Sequence, residues 1–136
     1  MTLSPAELLQ SRVPSTRPVI SLCEGADPRI VAGALAAIHA DLADIILVGD
    51  AEDIRAELTA QNGADVQGLS IHDPSNSPLS ADFATEFFAL RKHKGVDMEQ
   101  AAKAVQDPVV YAAMLVRLGH ATGTLGGAVH TTGDIV

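Results

Sequence analysis

Arg91, Lys92 and Lys94 fall within four consecutive positions, with His93 between them, in a chain of 136 residues that holds nine Lys and Arg in all. The formal net charge is −8. Gathering a third of the cations at one spot, directly after Phe87 and Phe88, is an arrangement suited to an anion. The planar fork of arginine favours phosphate in particular. A second stretch, GTLGGAVHTTGD (123–134), brings glycines, threonine hydroxyls and the start of a helix together. Free backbone N–H groups at a helix start attract anions, and glycine lets a phosphate approach closely. This stretch matches neither the dinucleotide-binding fingerprint nor a P-loop. Taken alone, it is explained better by tight strand packing than by a ligand.

Other side chains with reactive chemistry have plainer readings. His72 and His120 have no Cys, His or Glu at metal-ligand spacing, so no metal is expected. His39 reads as a surface histidine, and His130, beside the glycine-rich turn, as one that orients a loop. Cys23 ends an apolar run and reads as a small core residue. Asp27 is explained by helix capping, and Glu24 is expected to pair with Arg29. No Ser-His-Asp or Cys-His arrangement is evident.

The elements that position these residues are legible from apolar runs and punctuation. PVISLC (18–23) and DIILVGD (44–50) read as buried strands, and GLSIH (68–72) as a weaker third. Asp27-Pro28 opens an Ala-rich helix through residue 42, and Asp50 opens another over 51–61 that Asn62-Gly63 closes. Ser4-Pro5-Ala6-Glu7 has the spacing of a capping box. DPSNSP (73–78) is a turn-rich loop. Ser80 is expected to cap a helix that runs to Lys94 and stops at Gly95. Asp97 and Asp107-Pro108 open two more helices, the second ending at Gly119. ATGTLGGAV (121–129) then reads as a strand and TTGD (131–134) as a further helix start. Strands alternating with helices imply a mostly parallel sheet with helices on both faces, and a ligand crevice at the carboxyl ends of the strands.

On a helix of 100° per residue with Phe83 at zero, Phe87 falls at about 40°, Ala84 at about 100° and Phe88 at about 140°. Arg91 falls at about 80° on the same scale, inside that apolar arc. A guanidinium aimed inward requires an anionic or carbonyl partner. The geometry leaves an anion site and a structural ion pair equally open. Lys92 and His93 are explained by the helix dipole.

Composition bounds the class. The chain is 47% apolar and 19% charged, which is globular, and only 3% aromatic, which makes the core aliphatic. Its acidity argues against nucleic acid or an anionic membrane as partner. The start, MTLSPAELLQSR, lacks the pattern of a signal peptide, and a single cysteine suits a reducing compartment, so a cytoplasmic protein is expected.

LRKHKG (90–95) followed by DPVVYAAMLVRLGHATGTLGGAVHTTGD (107–134) closely resembles the phosphate acetyltransferase family. CEGADPRIVAGA (23–34) and ADIILVGD (43–50) resemble earlier segments of the same family, so the likeness runs from about Pro18 to Val136. The resemblance implies the reaction acetyl phosphate + CoA ⇌ acetyl-CoA + phosphate. It implies a three-layer α/β/α fold, isocitrate/isopropylmalate dehydrogenase-like, with two subdomains around a cleft and a homodimeric full-length enzyme. Arg91 would then bind coenzyme A, while Gly127, His130, Thr131 and Thr132 would line the turn that receives acetyl phosphate or phosphate. Cys23 stands where the family usually has Pro, and Gly133 where Ala or Ser is more frequent. The chain stops before the family's next arginine and its late Ser-Arg and Asp positions. By this likeness residues 1–136 are an incomplete first subdomain with no catalytic base, inactive alone. Alternatives are a phosphate butyryltransferase, a malic-enzyme-fused homologue, or a non-catalytic anion- or nucleotide-binding module.

Overall fold

Continuous apolar runs survive as strands only when both faces of the sheet are covered, and that is how the centre of this molecule is built. The computed structural model describes residues 4, 5, 7 and 17–126. Within them the chain alternates β1 (Val19–Leu22), α1 (Pro28–His39), β2 (Asp44–Val48), α2 (Ala51–Ala60) and β3 (Leu69–His72). Three helices follow, α3 (Ser80–Arg91), α4 (Met98–Ala104) and α5 (Pro108–Arg117), and then β4 (Gly123–Leu125). All pairings are parallel and the strand order is β3-β2-β1-β4. The chain thus steps outward from β1 to β3 and returns to the other side of β1. The fold is the expected α/β/α arrangement.

Side chains of successive strand residues leave opposite faces of a sheet, and they build two separate cores here. Leu22, Ile45 and Leu47 pack with Val31, Ala34, Leu35 and Ile38 of α1 and Ile54 and Leu58 of α2. Cys23, Ile46 and Val48 pack with Phe83 of α3 and Tyr111, Ala112, Met114 and Leu115 of α5. Ser21 is fully buried on that second face and donates its hydroxyl to the Ala112 carbonyl (3.1 Å), tying α5 to β1.

Several element ends differ from expectation. Helix α1 stops at His39 rather than residue 42, because Asp41 takes a left-handed φ of 56°. Arg17 holds that corner, donating to Asp41 (2.7 Å), Asp44 (2.8 Å) and the Ala43 carbonyl (3.3 Å). Ser80 is not a cap: Leu79 occupies that position without a side-chain bond, and the Ser80 hydroxyl donates to the Pro74 carbonyl instead. The helix carrying the cationic run ends as α-helix at Arg91. A single 3₁₀ turn over Lys92–Lys94 follows, and Gly95 closes it at φ 84°. The capping box of Asp97 and Gln100 is formed as expected, and so is the left-handed Asn62 after α2. Of the expected strand over 121–129, only β4 forms among the described residues, and 121, 122 and 126 are not strand. Residues 127–129 and the expected helix start at 131–134 lie outside the described residues.

Candidate functional site

Strand β1 runs out at Cys23 and the chain must turn at once into α1, so residues 23–27 crowd against the end of β2. The Gly25 N–H donates to the Val48 carbonyl (3.1 Å), and Gly49 follows at φ 156°. Between these two strand ends lies a cleft of about 260 Å³ lined by Cys23, Glu24, Gly25, Asp27, Val48 and Gly49. Leu125, the last residue of β4, sits alongside, its carbonyl 3.9 Å from the Cys23 Sγ. Gly126 therefore follows β4 at the same edge of the sheet.

A helix start at this edge would attract an anion only if its N–H groups were free. At α1, α2 and α5 the protein's own carboxylates take some of them. Asp27 accepts from the Arg29 N–H (2.8 Å), and Asp107 from that of Val109 (2.8 Å). At α2 both Asp50 and Asp73 accept, from Asp53 (2.9 Å) and Ala51 (3.1 Å). Asp27 also pairs with the Arg29 guanidinium (3.0 Å), which holds its carboxyl below the ordinary range. Glu24 is buried beside them and adds a smaller electrostatic influence on Arg29, so the expected Glu24–Arg29 relation is secondary to the Asp27 pair.

Cationic charge left for a ligand must come from elsewhere. Arg17, Arg29 and Arg117 are engaged with carboxylates, whereas no ion pair among the described residues involves Arg91, Lys92 or Lys94. The Arg91 side chain is exposed and lies over the Phe87 ring, with its Cζ 6.0 Å from the ring centroid. It is not aimed into the packed side, which corrects the angular reading. The apolar face is covered only in the first turn of α3, at Phe83 and Ala84, while Phe87, Phe88 and Leu90 are half-buried. Arg91, the last residue of the helix, therefore extends past the packed part of that face. Nor is it sealed against a structural carboxylate. Arg91 is not among the residues lining the cleft at the strand ends. Gly127, His130, Thr131 and Thr132 lie outside the described residues.

The family model for phosphate acetyl/butaryl transferases matches residues 5–136. The chain belongs to this family. It is 36% identical over 122 residues to the phosphate acetyltransferase of Thermoanaerobacterium thermosaccharolyticum, covering 90% of this chain and 36% of that protein. It is 38% identical over 117 residues to the phosphate acetyltransferase of Clostridium acetobutylicum, covering 86% and 35% respectively. Among solved structures, a phosphotransacetylase from Streptococcus pyogenes superposes with a TM-score of 0.88 at 29% identity, over 98% of this chain and 41% of the other. One from Staphylococcus aureus gives 0.83 at 29% identity, over 95% and 38%. The chain spans a little over a third of the length of these relatives.

Within the phosphate acetyl/butaryl transferase fold, Cys23 is buried, and burial followed by the charge of Glu24 pushes its thiol up. The thiol form is unreactive. Alkylation of Cys23 by iodoacetamide at pH 7.5 should run at least on the order of tenfold slower in the native chain than in urea. Equal rates, followed by mass spectrometry, would show the thiol to be open to solvent.

One polar cluster has no signature in the sequence. Tyr111, fully buried, touches His72 Nδ1 (2.8 Å) and Ser77 Oγ (2.6 Å) through its phenol oxygen. Burial, followed by the nearby His120, lowers the pKa of His72. Burial raises that of Tyr111, against a smaller opposing effect of the Ser77 hydrogen bond. Separations of 39 and 34 residues leave no local pattern to find. Among the described residues no helix is long and apolar enough to cross a membrane, and no group of three His, Cys, Asp or Glu could hold a metal ion.

Proposed function

We propose that this chain serves an acyltransferase that exchanges acetyl between phosphate and coenzyme A, with the cationic turn at 91–94 meeting the phosphates of coenzyme A. Membership of the phosphate acetyl/butaryl transferase family supports the reaction class. The observation that carries the ligand assignment is the clustering of Arg91, Lys92 and Lys94, none of them in an ion pair among the described residues, in a chain of net charge −8. The starts of α1, α2, α4 and α5 are capped by the chain's own carboxylates, which lessens what they offer an anion.

In this reading the thiol of coenzyme A loses its proton to a carboxylate base, since thiolate is the nucleophile. The thiolate attacks the acetyl carbonyl of acetyl phosphate, and the carbon–oxygen bond to phosphate breaks as inorganic phosphate leaves. Gly127, His130, Thr131 and Thr132 are proposed to receive the phosphoryl group, supplying N–H and O–H donors to the departing charge. The base is assigned to no residue of this chain.

Arg91→Ala should weaken coenzyme A binding by about 10–100-fold in titration calorimetry, the worth of one or two charge-assisted hydrogen bonds. Arg117→Ala, whose guanidinium is engaged with Glu86 (3.0 Å), should bind as the parent does. Equal affinity of Arg91→Ala and parent, or no binding by the parent, would overturn the assignment.

A further inference from the structure

The phenol of Tyr111 carries one hydrogen and has two close polar partners. Which way the hydrogens point is set by the groups beyond. The Leu79 N–H donates to Ser77 Oγ (3.1 Å), so the serine already serves as an acceptor there. Its own hydroxyl hydrogen is then free to go to the Tyr111 oxygen, and the phenol hydrogen to His72 Nδ1. Every donor in this run has an acceptor: Leu79 N–H, Ser77 O–H, Tyr111 O–H, His72 Nδ1. The opposite polarity would need a hydrogen on Nδ1, and it would leave the Ser77 hydroxyl hydrogen with no acceptor among the described hydrogen bonds.

We propose that His72 is a positioning residue: its neutral, Nε2-protonated ring ends a one-way hydrogen-bond chain that latches the entry of the helix bearing Arg91. The entry depends on this latch because helix α3 has no side-chain cap at Leu79. It is held by contacts of the preceding loop: Leu79 N–H to Ser77 Oγ, Ser80 N–H to the Ser77 carbonyl (3.3 Å), and Ser80 Oγ to the Pro74 carbonyl (2.8 Å). Ser77 is common to the loop and to the chain that ends at His72. Proton uptake at Nδ1 turns that nitrogen into a donor, reverses the Tyr111 hydrogen and displaces the Ser77 hydrogen.

The groups around the ring agree with a neutral form. Tyr111 faces it from α5, and His120, just beyond α5, disfavours a second positive charge. Val48, its register partner on β2, is apolar. The adjacent Asp73 carboxylate is engaged with the Ser75 N–H and hydroxyl (3.0 and 2.6 Å) and the Ala51 N–H. Burial lowers the His72 pKa below its unfolded value. The unfolded chain therefore binds more protons in the acid range. The stabilisation is complete above the ordinary histidine pKa and is lost as pH falls through the lowered value.

The test is independent of any substrate and uses ¹⁵N-labelled 136-residue chain. Long-range ¹H–¹⁵N spectra at pH 7.5 should show Nδ1 of His72 unprotonated and Nε2 carrying the hydrogen. Amide protection factors at Leu79, Ser80 and Phe83 should fall by about three- to tenfold from pH 7.5 to 5.5, while those of Ile46 and Leu47 in β2 hold steady. His72→Asn keeps an acceptor near the Nδ1 position without a titrating ring and should abolish that pH dependence. Tyr111→Phe removes only the linking oxygen and should lower protection of the same amides at both pH values. An Nδ1-protonated ring at pH 7.5, or a pH-dependent loss that persists in His72→Asn, would overturn the proposal. So would loss of protection in β2 to the same extent as at Leu79–Phe83, because the effect would then be global unfolding.

Discussion

Phe83→Ala is expected to lower the stability of the chain by about 3–5 kcal/mol, the range for removing a large buried aromatic side chain. Phe83 is fully buried, and its ring meets Tyr111 (centroids 4.9 Å apart) and His120 (5.9 Å) between α3 and the segment after α5. The neighbours in that core are mostly Ala, Val, Met and Leu. The adjoining Tyr111 ring is held by its hydrogen bonds to His72 and Ser77 and cannot swing into the void. A domain of this size has about 5–15 kcal/mol of stability, so the loss should move the urea midpoint far toward zero. Phe87→Ala, at a half-buried position one turn on, serves as the comparison and should cost less. A Phe83→Ala midpoint no lower than that of Phe87→Ala would mean that α3 is not anchored through its first turn.

Signals that act within a few residues are legible in the amino-acid sequence. Asp27-Pro28 and Asp107-Pro108 open helices as expected, because an aspartate cap and a proline at the first helical position are both local devices. DIILV forms a strand buried along nearly its whole length, which a run of branched apolar side chains requires. Ser80 misleads for an equally physical reason. A serine before a helical pattern looks like a cap, but the Pro74 carbonyl, six residues back, takes its hydroxyl and leaves Leu79 at the boundary. The direction of Arg91 is hidden because angular projection gives a face but not its cover: only Phe83 and Ala84, in the first turn of α3, are buried, and Arg91 is the helix's last residue. The anion-binding potential of the helix starts is likewise smaller than their spacing suggests. Asp73 reaches α2 from the far side of β3, 22 residues away from the N–H it satisfies. The His72–Tyr111–Ser77 cluster depends on two elements meeting across one face of the sheet, information that resides in topology and not in spacing.

Gly25→Ala is expected to destabilise the chain by about 2–4 kcal/mol, combining overpacking with the loss of a backbone hydrogen bond. A Cβ at this position would stand 2.9 Å from both the Val48 nitrogen and the Val48 oxygen and 3.0 Å from the Ile54 Cδ1. The two closest atoms are backbone at the end of a central strand, which cannot swing aside as a flexible side chain can. The ends of β1 and β2 must separate, stretching the Gly25–Val48 hydrogen bond of 3.1 Å and opening the cleft between them. Gly33, on an exposed turn of α1, has nothing within 4 Å of the corresponding point. Gly33→Ala should therefore stabilise by about 0.4–1 kcal/mol, through the unfolded chain's lost freedom. The same chemical change thus gives opposite signs at two sites, which excludes a general effect of alanine. Cys23 supplies a local readout, because it lines the cleft and is buried in the parent. Its alkylation in folded Gly25→Ala, measured below the urea transition, should be faster than in the parent and unchanged in Gly33→Ala. A Gly25→Ala chain with the parent's midpoint and alkylation rate would show that the strand ends can part without cost, and the cleft would not be a fixed feature of the fold.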